Sequence, residues 1–126
     1  MEFIDILSTV NKQLSKLNIN YEFGRMSRSP PKYPYWVGDY TEAEPMTEDG
    51  QSNFTFILTG FARGNFIDLE REKNIIKSHF EHGISVLTEN NVAVVIFYAG
   101  SLNIPVEDAD LKKCQINLKI KSWKGM

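Results

Sequence analysis

Apolar residues recur at spacings of three and four through the first seventeen positions. Phe3, Leu7, Val10, Leu14 and Leu17 form a stripe, Ile4 and Ile6 widen it, and Lys12, Gln13 and Lys16 fall opposite. That period predicts an amphipathic helix. Lys16 stands where a cation favours the helix dipole, and Asn18 or Asn20 can end the helix. The period then changes to two. Tyr21 to Gly24 reads as a short strand, and Tyr35 to Ala43 and Phe54 to Phe61 as longer ones. In the last, Phe54, Phe56 and Leu58 share one face, with Thr55, Ile57, Thr59 and Phe61 on the other. Pro30, Pro31 and Pro34 exclude regular structure from the loop at 25–34. Asp49–Gly50, lying between two strand-like runs, predicts a long hairpin with a mobile tip at Pro45 to Gln51.

Gly64 and Asn65 close that strand. Asp68, Glu70 and Glu72 suit the first turns of a second helix, whose apolar face carries Leu69, Ile76 and Phe80 with Ile75 beside them. Gly83 ends it. Val92 to Tyr98 is apolar on both faces, as in a central strand. Gly100 to Pro105 reads as a loop and Glu107 to Lys113 as a polar connector. Ile116, Leu118 and Ile120 alternate with Asn117, Lys119 and Lys121, which predicts a half-buried last strand ending near Trp123. The expected order is α-β-β-β-α-β-β. That is an α+β fold: a mostly antiparallel sheet with a long β-hairpin, and two helices packed on one face.

Length and charge narrow this only a little. The 126 residues suit a single domain over 1–126. A net charge of −2 gives no general pull toward nucleic acid or an anionic membrane, so direct nucleic-acid contact would need a local basic patch. The single cysteine, Cys114, rules out an intrachain disulfide. Met1–Glu2–Phe3–Ile4–Asp5 carries acid where a signal peptide has base. The apolar run Val92 to Ala99 is too short to span a bilayer. The protein is therefore expected to stay in the reducing cytosol where it is made.

Catalytic chemistry finds little support. His79 and His82 lie three apart near the end of the second helix, with Glu81 adjacent, but no third ligand follows at a metal-site spacing and HExxH is absent. Cys114 has no base nearby in sequence to activate it. Gly24, Gly38, Gly50, Gly60 and Gly64 form neither GxGxxG nor a Walker loop and are expected at strand ends and turns. No GxSxG is present. The expectation is a protein without catalytic residues, metal or cofactor.

Charge distribution is more informative. Asp39, Glu42, Glu44, Glu48 and Asp49 are five acids within Tyr35 to Gly50, a stretch without Lys or Arg. Their spacing matches no metal loop. Arg25, Arg28 and Lys32 lie just upstream in the proline loop. One chain thus carries a basic loop and an acidic hairpin, the pair of unlike patches that a head-to-tail ring joins. Tyr33, Tyr35, Trp36 and Tyr40 cluster beside the basic loop. Such interleaving can stack single-stranded nucleic acid, and it equally marks protein interfaces. A small cytosolic ligand- or nucleic-acid-binding regulatory domain is the alternative this leaves open.

Tyr33-Pro34-Tyr35-Trp36-Val37-Gly38-Asp39-Tyr40, Thr47-Glu48-Asp49-Gly50 and Phe56-Ile57-Leu58-Thr59-Gly60-Phe61 resemble the small tail-component proteins of long-tailed phages and prophages of Gram-positive bacteria. The closing Gln115-Ile116-Asn117-Leu118-Lys119-Ile120-Lys121-Ser122-Trp123 is similar to their last strand. The resemblance implies a structural protein of the virion tail or neck, assembled in the bacterial host cytoplasm and similar to tail terminators. Those are small α+β proteins that form rings, commonly hexameric, at the head-proximal end of the tail tube. Its implied partners are copies of itself, the tail tube protein and a head–tail connector protein, with no membrane and no cofactor. Tail-completion and connector proteins share this size and fold, and the resemblance does not choose among them.

Overall fold

A computed structural model describes residues 2–27, 29–42, 51–108 and 110–124. The first helix, α1 (Glu2–Lys16), buries Ile6, Val10 and Leu14. It stops at Asn18, which takes the left-handed conformation (φ 57°). The Ile19 N–H then donates to the Leu14 carbonyl and the Asn18 N–H to the Ser15 carbonyl, while the Ile19 and Leu14 side chains share the core. Those two bonds satisfy carbonyls that the helix end would otherwise orphan. The stripe departs from expectation at three places, the first being Phe3, which is exposed. Ile4 is 59% exposed, and Gln13 is buried because His79 from the second helix bonds to it.

The strands form one sheet in the order β1-β2-β3-β6-β5-β4. β1 (Tyr21–Phe23) runs parallel to β2 (Tyr35–Glu42), and every other pairing is antiparallel. β2 pairs with β3 (Gln51–Arg63) from Tyr35↔Phe61 to Glu42↔Phe54, which is the expected hairpin. Its tip at Pro45 to Gln51 lies outside the described residues except for Gln51. β3 pairs along its whole length with β6 (Leu111–Lys124). These two long strands hold the centre, and Val92 to Tyr98 instead lies one strand in from the edge.

Three expectations are corrected after α2 (Ile67–Phe80). A further strand, β4 (Ile84–Leu87), pairs with β5 (Val92–Ile104), so the order is α-β-β-β-α-β-β-β. Gly100 to Ile104 is strand rather than loop. One extra residue enters β5 between Tyr98↔Leu118 and Ser101↔Ile116, and Gly100 takes φ +122° there. This is a bulge, which lets the ladder resume beyond the glycine. The connector expected at Glu107 to Lys113 ends by Asp110, and Leu111 already pairs with Arg63.

Both helices cover the same face. Leu69, Ile76 and Phe80 of α2 join the α1 residues and the even-numbered side chains of β3 and β6, including Phe56, Leu58, Ile116 and Leu118, in one core. Each fully buried Leu, Ile or Phe there stabilises by about 1.5–3 kcal/mol. Gly38 and Gly60 lie inside β2 and β3, not at their ends as expected. A Cβ on Gly60 would come within 2.7 Å of the Trp36 ring, and one on Gly38 within 2.7 Å of Phe56. The two glycines make room for large rings in the same layer.

Candidate interaction surface

Among the described residues, no helix or further sheet lies over the face of the sheet away from the two helices. On it the odd-numbered residues of β6 set Lys113, Lys119 and Lys121 beside Phe61, Thr55 and Asn53 of β3. The Lys113 ammonium lies 5.7 Å from the Phe61 ring centre and that of Lys121 5.9 Å from Phe97. Such pairs lay the apolar stem along the sheet and leave the charge outward. Phe61 also stacks on Tyr35 at 4.9 Å. Asp39 is the one described acid on this face of β2, β3 and β6.

The proline loop borders this face. Its start is fixed by Glu22, whose Oε1 accepts from Ser27 Oγ at 2.6 Å and whose Oε2 accepts from the Ser27 N–H. Those bonds, the side-chain one first, hold the Glu22 carboxyl below its ordinary range. Asn20 Nδ2 donates to the Lys32 carbonyl at 2.9 Å, and the Gly24 N–H donates to the Gly38 carbonyl at 2.9 Å. The peptide bonds before Pro30 and Pro34 are cis. Beyond the loop, Arg63 lies 5.5 Å from the Tyr33 ring centre and bonds Asp108 at 2.8 Å. That bond to Arg63, more than any other influence, keeps the Asp108 carboxyl low.

Between loop and sheet lies a groove of ≈ 620 Å³, with Arg25 and Met26 on one wall and Val37, Phe61 and Lys113 toward the other. Arg25 is exposed and lines it, alongside Asp39. Lys32 is exposed and is not part of the lining. Glu42 is exposed at the far end of β2. Arg28, Glu44, Glu48 and Asp49 lie outside the described residues. The structure thus brings Arg25 together with Lys113, a residue the charge analysis did not single out. The signal was present in the alternation of β6, where Lys119 and Lys121 occupy the polar phase, but only the register shows that three lysines share one bare face.

The residues weighed for chemistry are spread apart. Cys114 is buried in β6, and burial pushes its thiol up to about 11, far from a reactive thiolate. His79 Nε2 lies 2.8 Å from Gln13 Oε1. His82 falls beyond the end of α2, 3.7 Å from Glu81. Among the described residues no three His, Cys, Asp or Glu side chains are grouped to hold a metal. No helix among them is long and apolar enough to cross a membrane. No known family's model and no curated protein matches the chain. What is established is an α+β fold with a mostly antiparallel six-stranded sheet and two helices on one face.

Proposed function

We propose that this chain is a structural protein of a phage or prophage tail, a ring-forming terminator that caps the tail tube and helps join it to the head. The observation that carries the reading is the separation of charge along one strand. β2 leaves the basic loop at Tyr35 and ends at Glu42, at the entrance to the acidic segment. Seven residue steps of extended chain put those ends about 23 Å apart. At more than two Debye lengths in physiological salt they scarcely neutralise one another within a subunit. Copies arranged head to tail satisfy both, and a heterologous contact that closes gives a ring. Lys113, across the groove from Arg25, adds to the basic side.

A structural role asks for no catalytic residue or cofactor. Stacking of single-stranded nucleic acid on the bare face is less well supported. Lysines lie over Phe61 and Phe97, and Tyr35 covers Phe61 from its own side, so these rings are already engaged. Deletion of the gene from its phage or prophage tests the reading. The expected result is full heads and tail tubes that fail to join, with some tubes of excess length. Infectious particles of normal tail length would overturn it. Joined particles with correct tails but poor host attachment would move the protein to the other end of the tail.

A further inference from the structure

The most unusual polar group lies on the helical side of the molecule, away from the groove. Asp5, on the first turns of α1, is only 6% exposed. Its Oδ1 accepts from Asn90 Nδ2 at 3.1 Å, and its Oδ2 is buried without a hydrogen-bond partner among the described residues. A carboxylate near a helix N-terminus gains from the dipole, but the dipole supplies no donor to that oxygen. An unsatisfied buried acceptor of this kind costs about 1–3 kcal/mol, more if charged, so it calls for a partner.

Asp5 forms part of the wall of a slot of ≈ 260 Å³ between α1 and the turn that joins β4 to β5. The walls are rich in acceptors. Thr9 Oγ1 gives its proton to the Asp5 backbone carbonyl, which leaves its lone pairs for others. Glu89 adds a second carboxylate and Lys12 is the one cation in the lining. Two large apolar side chains of the lining, Ile4 and Leu87, are exposed by 59% and 68%. A slot with a buried carboxylate, acceptors around it and bare apolar side chains beside it matches a donor head on an apolar stem.

We propose that this slot binds an alkyl cation, a guanidinium or primary ammonium on an unbranched stem, with Asp5 as its anion. The head bonds Asp5 and Thr9 while the stem covers Ile4 and Leu87. The same chemistry comes from two sources: a free ligand such as a polyamine, or an arginine or lysine side chain of a second copy. The site does not depend on the ring reading, since it uses neither the proline loop nor the acidic hairpin.

Agmatine (4-guanidinobutylamine) and N-acetyl-L-argininamide serve as probes, titrated into the full-length protein and followed by amide shifts. Wild type should show saturable shifts at Asp5, Thr9 and Asn90. Asp5→Asn should weaken binding tenfold or more, as loss of a charged hydrogen bond implies. Ser8→Leu, at an exposed position in the lining, should block binding while leaving Asp5 and the fold untouched. Sedimentation separates the sources. If a second copy supplies the cation, Asp5→Asn and Ser8→Leu lower the assembly size and agmatine competes with association. If the ligand is free, the size is unchanged and the shifts alone respond. Equal binding by wild type and both variants would overturn the proposal. So would the absence of any response in shifts and size, which leaves only water in the slot. Binding seen only after Lys12→Ala would also overturn it, because the chain's own lysine would then be the occupant.

Discussion

Trp36 Nε1 donates to Glu72 Oε1 at 2.9 Å, tying the base of the hairpin to the second helix. Trp36 is fully buried, and its indole N–H has no water to fall back on. Partial burial raises the Glu72 carboxyl above its ordinary value, against the opposing pull of the Trp36 bond. The folded state therefore holds the Glu72 proton more tightly than the unfolded chain, and this group's contribution to stability improves as pH falls toward the carboxylate range. Glu72→Gln keeps an acceptor for the indole and removes the desolvated charge. It should be as stable as wild type or more so at pH 7, and should lose that pH dependence. Glu72→Leu strands the N–H and should cost about 1–3 kcal/mol. Urea unfolding at pH 5 and pH 7 checks both, and equal stability of the Gln and Leu variants would contradict the bond.

Gly60 and Trp36 are cross-strand partners in the hairpin. A methyl group on Gly60 would sit 2.7 Å from the indole, closer than side chains tolerate. Gly60→Ala should destabilise by about 1–3 kcal/mol through overpacking. Combining it with Trp36→Phe should cost clearly less than the two single losses together, because the smaller ring gives way. Additive losses in a double-mutant cycle would contradict a steric origin.

His79 supplies a pH dependence of the opposite sign. Its burial, with Lys16 adding to the effect, holds the imidazole below its ordinary value. Between the lowered folded value and the ordinary one near 6.5, the unfolded chain binds more protons than the folded one. Stability should therefore fall as pH drops from about 6.5 into that window. His79→Gln can still meet Gln13 and should flatten the profile there. A wild-type stability that stays level or rises on acidification through this range, after correction for Glu72, would contradict the assignment.

The hairpin was legible because it obeys a period of two over both strands, and the register followed once the hairpin existed. The β4 strand was not. Ile84 to Leu87 is only four residues long, and it sits between Gly83 and a turn in which Asn91 takes φ 64°. Gly100 to Pro105 reads as a loop in the sequence, whereas Gly100 is the residue that makes a bulge possible. Gln13 looked like a solvent residue, and only the distant His79, 66 positions on, explains why it is inside. For the surface, the sequence shows the charge of the proline loop and the acidic hairpin. It does not show that the last strand reaches back to Lys113, or that the face shared by Lys113, Lys119 and Lys121 is the one away from the helices. Nothing in the sequence sets Asp5 apart on the predicted helix, because its partner and its slot come from a turn about 85 residues away.

Assembly through unlike patches should depend on salt. Changing Arg25 and Arg28 to Glu should reduce the light-scattering mass at low ionic strength, and adding Glu48→Lys and Asp49→Lys should partly restore it. Single exposed pairs contribute only about 0–1 kcal/mol, so several must act together and the effect should fade near 0.5 M salt. The same mass for wild type, the reversed loop and the rescued protein would count against charge-driven contacts.

The central claim is that copies of this chain close head to tail. Electron microscopy of the purified full-length protein at low salt tests it most directly, with mass measured in the same solution. The account predicts closed rings of one subunit number, lost when Arg25 and Arg28 are reversed. A protein that remains monomeric at high concentration, both alone and mixed with its tail tube, would contradict it, as would a symmetric dimer unaffected by those reversals.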